Sequence, residues 1–249
     1  MEDCHPLLDK YADFFPGSFL DGEKEKTLCR YFSILLTKAL PHGFIGKETP
    51  EGIFAKHILD SVSILNAETI AKVLLDAQSP VDIGTGAGLP GIPLSILTGK
   101  KITLLDSSAN KIRFLEETVK TLNMESMPAR NIFLGDKNRA DKASYDVILF
   151  RAFRKPAVSL ELALHVADAD AKVLYWHTDN LEKNADQFSR FLEIISGMGY
   201  HDPRYFPLPF PEEYGKRGVY LFEYSKKENS GYPRSVKKIE KDIFYQNFY

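Results

Sequence analysis

Apolar residues recur along the chain at two different spacings, and each change of spacing marks an exchange of helix for strand. Over residues 27–40, Leu28, Tyr31, Phe32, Leu35, Leu36 and Ala39 fall three or four apart, which predicts a helix with one inward face that Pro41 ends. Residues 1–26 are rich in aromatic side chains but broken by Pro6, Pro16, Gly17 and Gly22, which predicts an irregular or weakly helical lead. Thr49-Pro50-Glu51 reads as a helix start, with Thr49 as N-cap and Pro50 at the first helical position. That helix carries Phe54, His57, Ile58, Ser61 and Leu65, and places His57 and Asp60 on one face. A third helix is predicted over 68–77.

From residue 80 onward, short apolar runs alternate with amphipathic segments. Strands are predicted at 80–83, 101–106, 131–136, 145–150 and 171–177, with helices from residue 92 and over 110–123, 157–167 and 180–198. A stretch with Pro203, Pro207, Pro209 and Pro211 leads into the alternating RGVYLFEY of 217–224, which reads as a hairpin closing the sheet. The pattern specifies an α/β protein with a mostly parallel sheet covered on both faces.

The densest chemical signal is VDIGTGAGLPGIPL over 81–94, a strand entering Gly84, Gly86, Gly88 and Gly91 and leaving as a helix. Glycines are required where φ is positive and where main chain lies directly against a ligand. A turn of this kind, opening a helix with unpaired N–H groups, is a nucleotide-cofactor cradle. Gly86, Gly88 and Gly91 also satisfy the dinucleotide fingerprint, with Asp106 at the expected distance beyond. Asp82 separates the two cofactor classes. A carboxylate there opposes a pyrophosphate and favours S-adenosylmethionine, whose ammonium and sulfonium are positive. Asp106, at the end of the second strand, is placed to accept from both ribose hydroxyls or to cap the next helix. Asp136 repeats the strand-then-acid pattern and can accept from an adenine amino group or simply lie in a surface loop.

Composition narrows the partners. The 249 residues, 44% hydrophobic and 27% charged, suffice for one large domain or a main domain with a small appendage. A net charge of −2 gives no global attraction to nucleic acid, so any RNA surface is a local patch. Residues 226–241 offer one, with six Lys/Arg against two Glu. Cys4 and Cys29 have no metal-ligand spacing, and so low a count points to a reducing compartment. An acidic start at Met1-Glu2-Asp3 and the lack of a membrane-length apolar run predict a cytoplasmic protein, with no membrane and no metal as partners.

A methyltransferase must mainly align acceptor and methyl carbon. Carbon-5 methylation of a pyrimidine needs a cysteine nucleophile, and neither cysteine follows the fourth strand. Amine methylation uses an Asn/Asp-Pro-Pro-aromatic turn after that strand, where this chain has Phe150-Arg-Ala-Phe-Arg-Lys-Pro156. Guanine N7 has an in-plane lone pair and no proton, so it requires no base.

Lys56-His-Ile-Leu-Asp-Ser61, the glycine segment, Leu104-Leu-Asp-Ser107 with Lys111-Ile-Arg-Phe-Leu115, Arg151-Ala-Phe153 and Tyr232-Pro-Arg234 are similar, in order and spacing, to the bacterial small-subunit rRNA guanine-N7 methyltransferases (the RsmG, or glucose-inhibited division protein B, family). The resemblance spans roughly residues 28–240. It implies a Rossmann-like class I methyltransferase sheet of seven strands, the last antiparallel. An N-terminal helical extension (1–66), a cofactor-binding core (67–225) and a basic tail (226–249) are expected. It also implies S-adenosylmethionine as donor and a guanine in 16S rRNA of the small ribosomal subunit as acceptor; a monomer is the working expectation, although the sequence does not reveal the oligomeric state. The expected cofactor contacts are Asp82, Gly84, Gly86, Gly88, Leu89, Asp106, Asp136, Arg139, Ala140 and Arg151. Arg151, His57 and Asp60 are the expected catalytic or acceptor-pocket residues, although His57 read alone fits a buried, hydrogen-bonded packing residue better than a catalyst. Lys111, Arg154, Arg234, Lys237 and Lys238 are the expected RNA contacts. The chain departs from the family at Gly43-Phe-Ile45, at His177-Thr178 and near Ala140, where an acidic residue is expected. A nicotinamide-dependent oxidoreductase and an inactive ribosome-associated RNA-binding protein are the alternative readings.

Overall fold

A computed structural model describes residues 4–134, 143–178, 181, 184–226 and 231–242. The lead is more helical than its prolines and glycines suggest. Helix α1 spans His5–Lys10, and α2 begins at Gly22, not at residue 27, and runs Gly22–Ile34. Asp21 is the reason: its carboxylate accepts from the N–H groups of Glu23 and Lys24, a cap that apolar periodicity does not reveal. The helix widens into π turns over Leu35–Ala39. Cys4 and Cys29 are joined in a disulfide between these two helices. The cysteine count therefore carries no inference about a reducing compartment.

The helix predicted from Thr49-Pro50 forms as expected. Thr49 Oγ1 accepts from Gly52 N at 3.1 Å, and Pro50 opens α3, Pro50–Ile53. The helix continues through π turns at Phe54–Leu59 into α4, Asp60–Val62. His57 lies in the widened stretch and Asp60 just beyond it. Such π insertions occur frequently at functional sites. Helix α5, Glu68–Asp76, then leads to the sheet.

The sheet comprises β1 Pro80–Ile83, β2 Thr103–Asp106, β3 Ala129–Asn131, β4 Tyr145–Phe150, β5 Ala167–His177, β6 Arg204–Leu208 and β7 Arg217–Glu223. Their order is β3-β2-β1-β4-β5-β7-β6. Strands β1 to β5 pair in parallel, and β7 runs antiparallel to both β5 and β6, so the predicted closing hairpin is present. Pairing of β3 stops at Asn131 against Asp106, short of the predicted 131–136, and the apolar residues 132–134 leave the sheet. Helices α6 Gly91–Thr98, α7 Ala109–Thr121, α8 Pro156–Ala163, α9 Ala185–Met198 and α10 Val236–Lys241 complete the framework.

Alternation along the strands divides the core. Leu104, Val147, Leu174 and Leu221 face the layer of N-terminal helices, α6 and α7, whereas Leu105, Ile148, Tyr175 and Phe222 face α8, α9 and α10. Chain order reverses its direction of travel between β1 and β4, so the crevice at their carboxyl ends is where such sheets bind ligands. Among the described residues no helix is long and apolar enough to cross a membrane.

Thr49→Ala removes the cap of the helix that carries His57 and Asp60. It is expected to lower the unfolding free energy by about 1 kcal/mol, measurable by urea unfolding.

Candidate cofactor and acceptor site

The loop after β1 turns through positive φ at Gly84 (72°), Gly86 (60°) and Gly88 (101°). Side chains are excluded for more than conformational reasons. A Cβ on Gly84 would lie 2.3 Å from the Phe153 ring, and one on Gly91 would lie 2.5 Å from Leu104 Cδ2. The loop's own donors are largely spent inside the protein. Gly84 N and Thr85 N both donate to Leu105 O, and Gly88 N and Leu89 N both donate to Thr85 O.

Asp82 underlies this arrangement. It is 1% exposed, and its Oδ2 accepts from Thr85 Oγ1 at 2.6 Å and from Gly91 N at 2.8 Å, at the start of α6. Its Oδ1 is buried without a hydrogen-bond partner among the described residues. Two expectations change. The first donor of α6 is not left unpaired, and Asp82 lies beneath the loop instead of lining the cavity. With Gly91 N already donated to Asp82, the head of α6 has no free first donor for a pyrophosphate, which weighs against the dinucleotide reading. Burial pushes the Asp82 carboxyl up to about 7, against the opposing effect of the Thr85 and Gly91 hydrogen bonds and of Arg151.

A cavity of about 280 Å³ opens at the carboxyl ends of β1, β2 and β4. Gly84, Asp106, Ser107, Leu134, Ala152 and Phe153 are among its walls. Asp106 is fixed by Gly86 N, which donates to Oδ2 at 3.0 Å, and by Ser108 N, which donates to Oδ1 at 2.9 Å. The cap of α7 is Ser108, accepting from Lys111 N, so the capping alternative for Asp106 does not hold. Ala152, immediately after Arg151, is a non-glycine residue at φ 50°, and strain of this kind persists where surrounding structure enforces it. Phe153 stacks on Phe150 with ring centroids 5.2 Å apart and fills the space over Gly84.

Beside this cavity, a buried ionic cluster joins the N-terminal helices to the sheet. Arg151 Nε donates to Asp60 Oδ2 at 2.7 Å, Arg151 Nη2 donates to the Lys56 carbonyl, and Arg217 Nε lies 3.1 Å from Asp60 Oδ1. Trp176 Nε1 donates to the Asp60 carbonyl at 3.1 Å. Asp60 therefore ties α4 to the ends of three strands. Both His57 ring nitrogens are buried and lack a hydrogen-bond partner among the described residues. Burial, together with the charge on Arg151, pushes the imidazole down to about 4, so His57 is neutral at pH 7.

The remaining expected residues divide. Leu89 is buried in the core layer of the N-terminal helices and is not a wall of this cavity. Lys111 and Arg154, expected on RNA, line the cavity, and Lys111 Nζ is 3.6 Å from Asp106 Oδ2. Arg234, also expected on RNA, instead forms ion pairs with Glu161 and Asp242. Lys237 and Lys238 are exposed on α10. Asp136, Arg139 and Ala140 lie outside the described residues. Sequence reasoning missed Arg217, which reads only as the first residue of an alternating strand. It also missed Val158 and Leu162 of α8, and Val236 and Ile239 of α10, as cavity walls. A basic stretch interrupted by Val236 and Ile239 at a helical interval was the available signal for the tail. Among the described residues no cluster of His, Cys, Asp and Glu could hold a metal ion.

This strand order, with a glycine loop after β1 and a buried acid after β2, defines a class I methyltransferase fold. An O-methyltransferase from Bacillus cereus, solved in complex with SAH, shares that fold with a TM-score of 0.50 and 14% identity, over 83% of this chain and 92% of that one. The profile of rRNA small subunit methyltransferase G matches residues 24–199. Proteins named ribosomal RNA small subunit methyltransferase G from Mesoplasma florum and Carboxydothermus hydrogenoformans are 30% and 29% identical, each over 90% of this chain and over 92% and 94% of their own length. The chain belongs to the rRNA small subunit methyltransferase G family.

Asp82 and His57 give opposite pH dependences. The raised Asp82 value contributes stability that is complete below about 4 and lost as pH rises through about 7. The lowered His57 value contributes stability present above its ordinary 6.5 and lost as pH falls through about 4. Between pH 4.5 and 6.5 the two slopes oppose each other, each limited to about 1.4 kcal/mol per pH unit. Asp82→Asn should therefore gain stability relative to the wild type as pH rises from 5 to 7.5. Urea unfolding across that range measures it.

Proposed function

We propose that this protein transfers the methyl group of S-adenosylmethionine to N7 of a guanine in 16S rRNA. The observation that carries the choice of acceptor is the commitment of the acidic group nearest the end of β4. Asp60 is paired with both Arg151 and Arg217, and the adjacent His57 is neutral and buried. Such a cluster is built to position a base. It is poorly suited to accept a proton, and N7 has none to give.

The cofactor supplies an electrophilic methyl group on sulfur. Its requirements match the residues present: the Gly84 main chain lining the cavity beside the Phe153 ring, the Asp106 carboxylate for the ribose hydroxyls, and the apolar walls beyond it for the adenine. Arg151, held by Asp60 and the Lys56 carbonyl, presents its outer edge to the guanine O6. His57 packs beside it as a neutral ring. Positive charge passes from sulfur to the purine during transfer and no proton moves, so alignment supplies the rate enhancement. Lys237 and Lys238 contact rRNA phosphates as part of a local patch on a chain of net charge −2. In this reading the protein is a cytoplasmic monomer acting on the small ribosomal subunit.

Incubation with labelled donor and small subunits lacking the modification, followed by nucleoside analysis, should yield 7-methylguanosine. Arg151→Ala should lower kcat/KM by roughly a hundredfold, the loss expected when an aligning contact is removed, while retaining S-adenosylhomocysteine binding. Label on another atom, or no label, would overturn the proposed activity, and an undiminished rate in the variant would overturn the role of Arg151.

A further inference from the structure

Glu161 of α8 is fully buried, a placement that is costly for a carboxylate unless it is matched. Its partner comes from the C-terminal segment. Arg234 N donates to Oε1 at 2.8 Å, Nε to Oε1 at 2.9 Å and Nη2 to Oε2 at 2.7 Å, while Nη1 donates to Asp242 Oδ2 at 2.9 Å. The Arg234 guanidinium also lies over the Tyr232 ring, 5.4 Å from its centroid. One arginine thus fastens the segment to α8 and closes the ends of α10 on each other.

That fastening fixes which way α10 faces. Val236 and Ile239, three residues apart, turn inward; Ile239 is 1% exposed, and both line the cavity shared with Asp106, Leu134, Val158 and Leu162. Lys237 and Lys238 turn outward. A surface helix of this size gains little by itself, so the buried ion pair serves to hold an apolar pair at the cavity.

We propose that Val236 and Ile239, held by the Arg234–Glu161 pair, form part of the wall against which the adenine of the cofactor is seated. The inference rests on the S-adenosylmethionine reading and deepens it. Asp106 marks the ribose position, the methionine end is a zwitterion, and the adenine is the one flat, weakly polar part that an apolar wall suits. The C-terminal segment is then a component of the cofactor site, with Arg234 as its positioning residue.

Calorimetric titration of the full chain with S-adenosylhomocysteine, adenosine and S-ribosylhomocysteine tests this. Val236→Ser should weaken S-adenosylhomocysteine and adenosine by roughly fivefold, as expected for losing part of an apolar contact, and leave S-ribosylhomocysteine, which lacks the adenine, unchanged. Arg234→Ala should give the same adenine-specific loss. Val236 is partly exposed and outside the ion pair, so its variant carries the test if Arg234→Ala does not fold. Equal affinity of the wild type and Val236→Ser for S-adenosylhomocysteine would overturn the wall while leaving the cofactor reading intact, as would equal losses for all three compounds. A wild type that binds none of them would overturn both.

Discussion

The carboxylate of Asp82 organises the loop that makes this sheet a cofactor-binding one. Oδ2 holds both the Thr85 hydroxyl and the first N–H of α6, so strand, turn and helix are fixed around a single buried acceptor. The helix N-terminus compensates part of the cost of burying that group. The same placement takes up the first donor at the head of α6, which is then not free for a phosphate.

A second buried acid does comparable work between the N-terminal helices and the sheet. Asp60 faces one arginine just after β4 and another at the start of β7, far apart along the chain, and lends its main-chain carbonyl to Trp176. Replacing such a cluster with apolar residues often leaves stability unchanged or improves it, so what the cluster contributes is the fixed position of Arg151 more than net energy. The π turns that hold His57 lead directly into Asp60. Glu161 and Arg234 repeat the device for the C-terminal segment. In all three cases a buried carboxylate fixes a neighbouring element at or beside the cavity.

Much of the fold was legible from local pattern. Alternation and helical spacing located the principal elements, because burial on one face imposes those periods directly. Boundaries were missed where a polar cap set them, as Asp21 did for α2, or where pairing ran out, as it did after Asn131. The site was legible only where it was contiguous in sequence. Gly84 and Asp106 could be placed, while Arg217, Val236 and Ile239 could not. The surroundings of Lys111, Arg154 and Arg234 were not legible, because a cation in a list of residues gives no sign of the carboxylate or cavity it will meet.

By itself, then, the sequence determined the α/β alternation, the glycine turn at the head of the first crossover and the family likeness, all of which depend on residues close together along the chain. Tertiary structure alone decided that Asp82 lies beneath the loop, that Asp60 is shared by two arginines and that the C-terminal helix lines the cavity. Each of those outcomes depends on desolvation and on partners far apart in the chain, and neither quantity exists until the layers have packed.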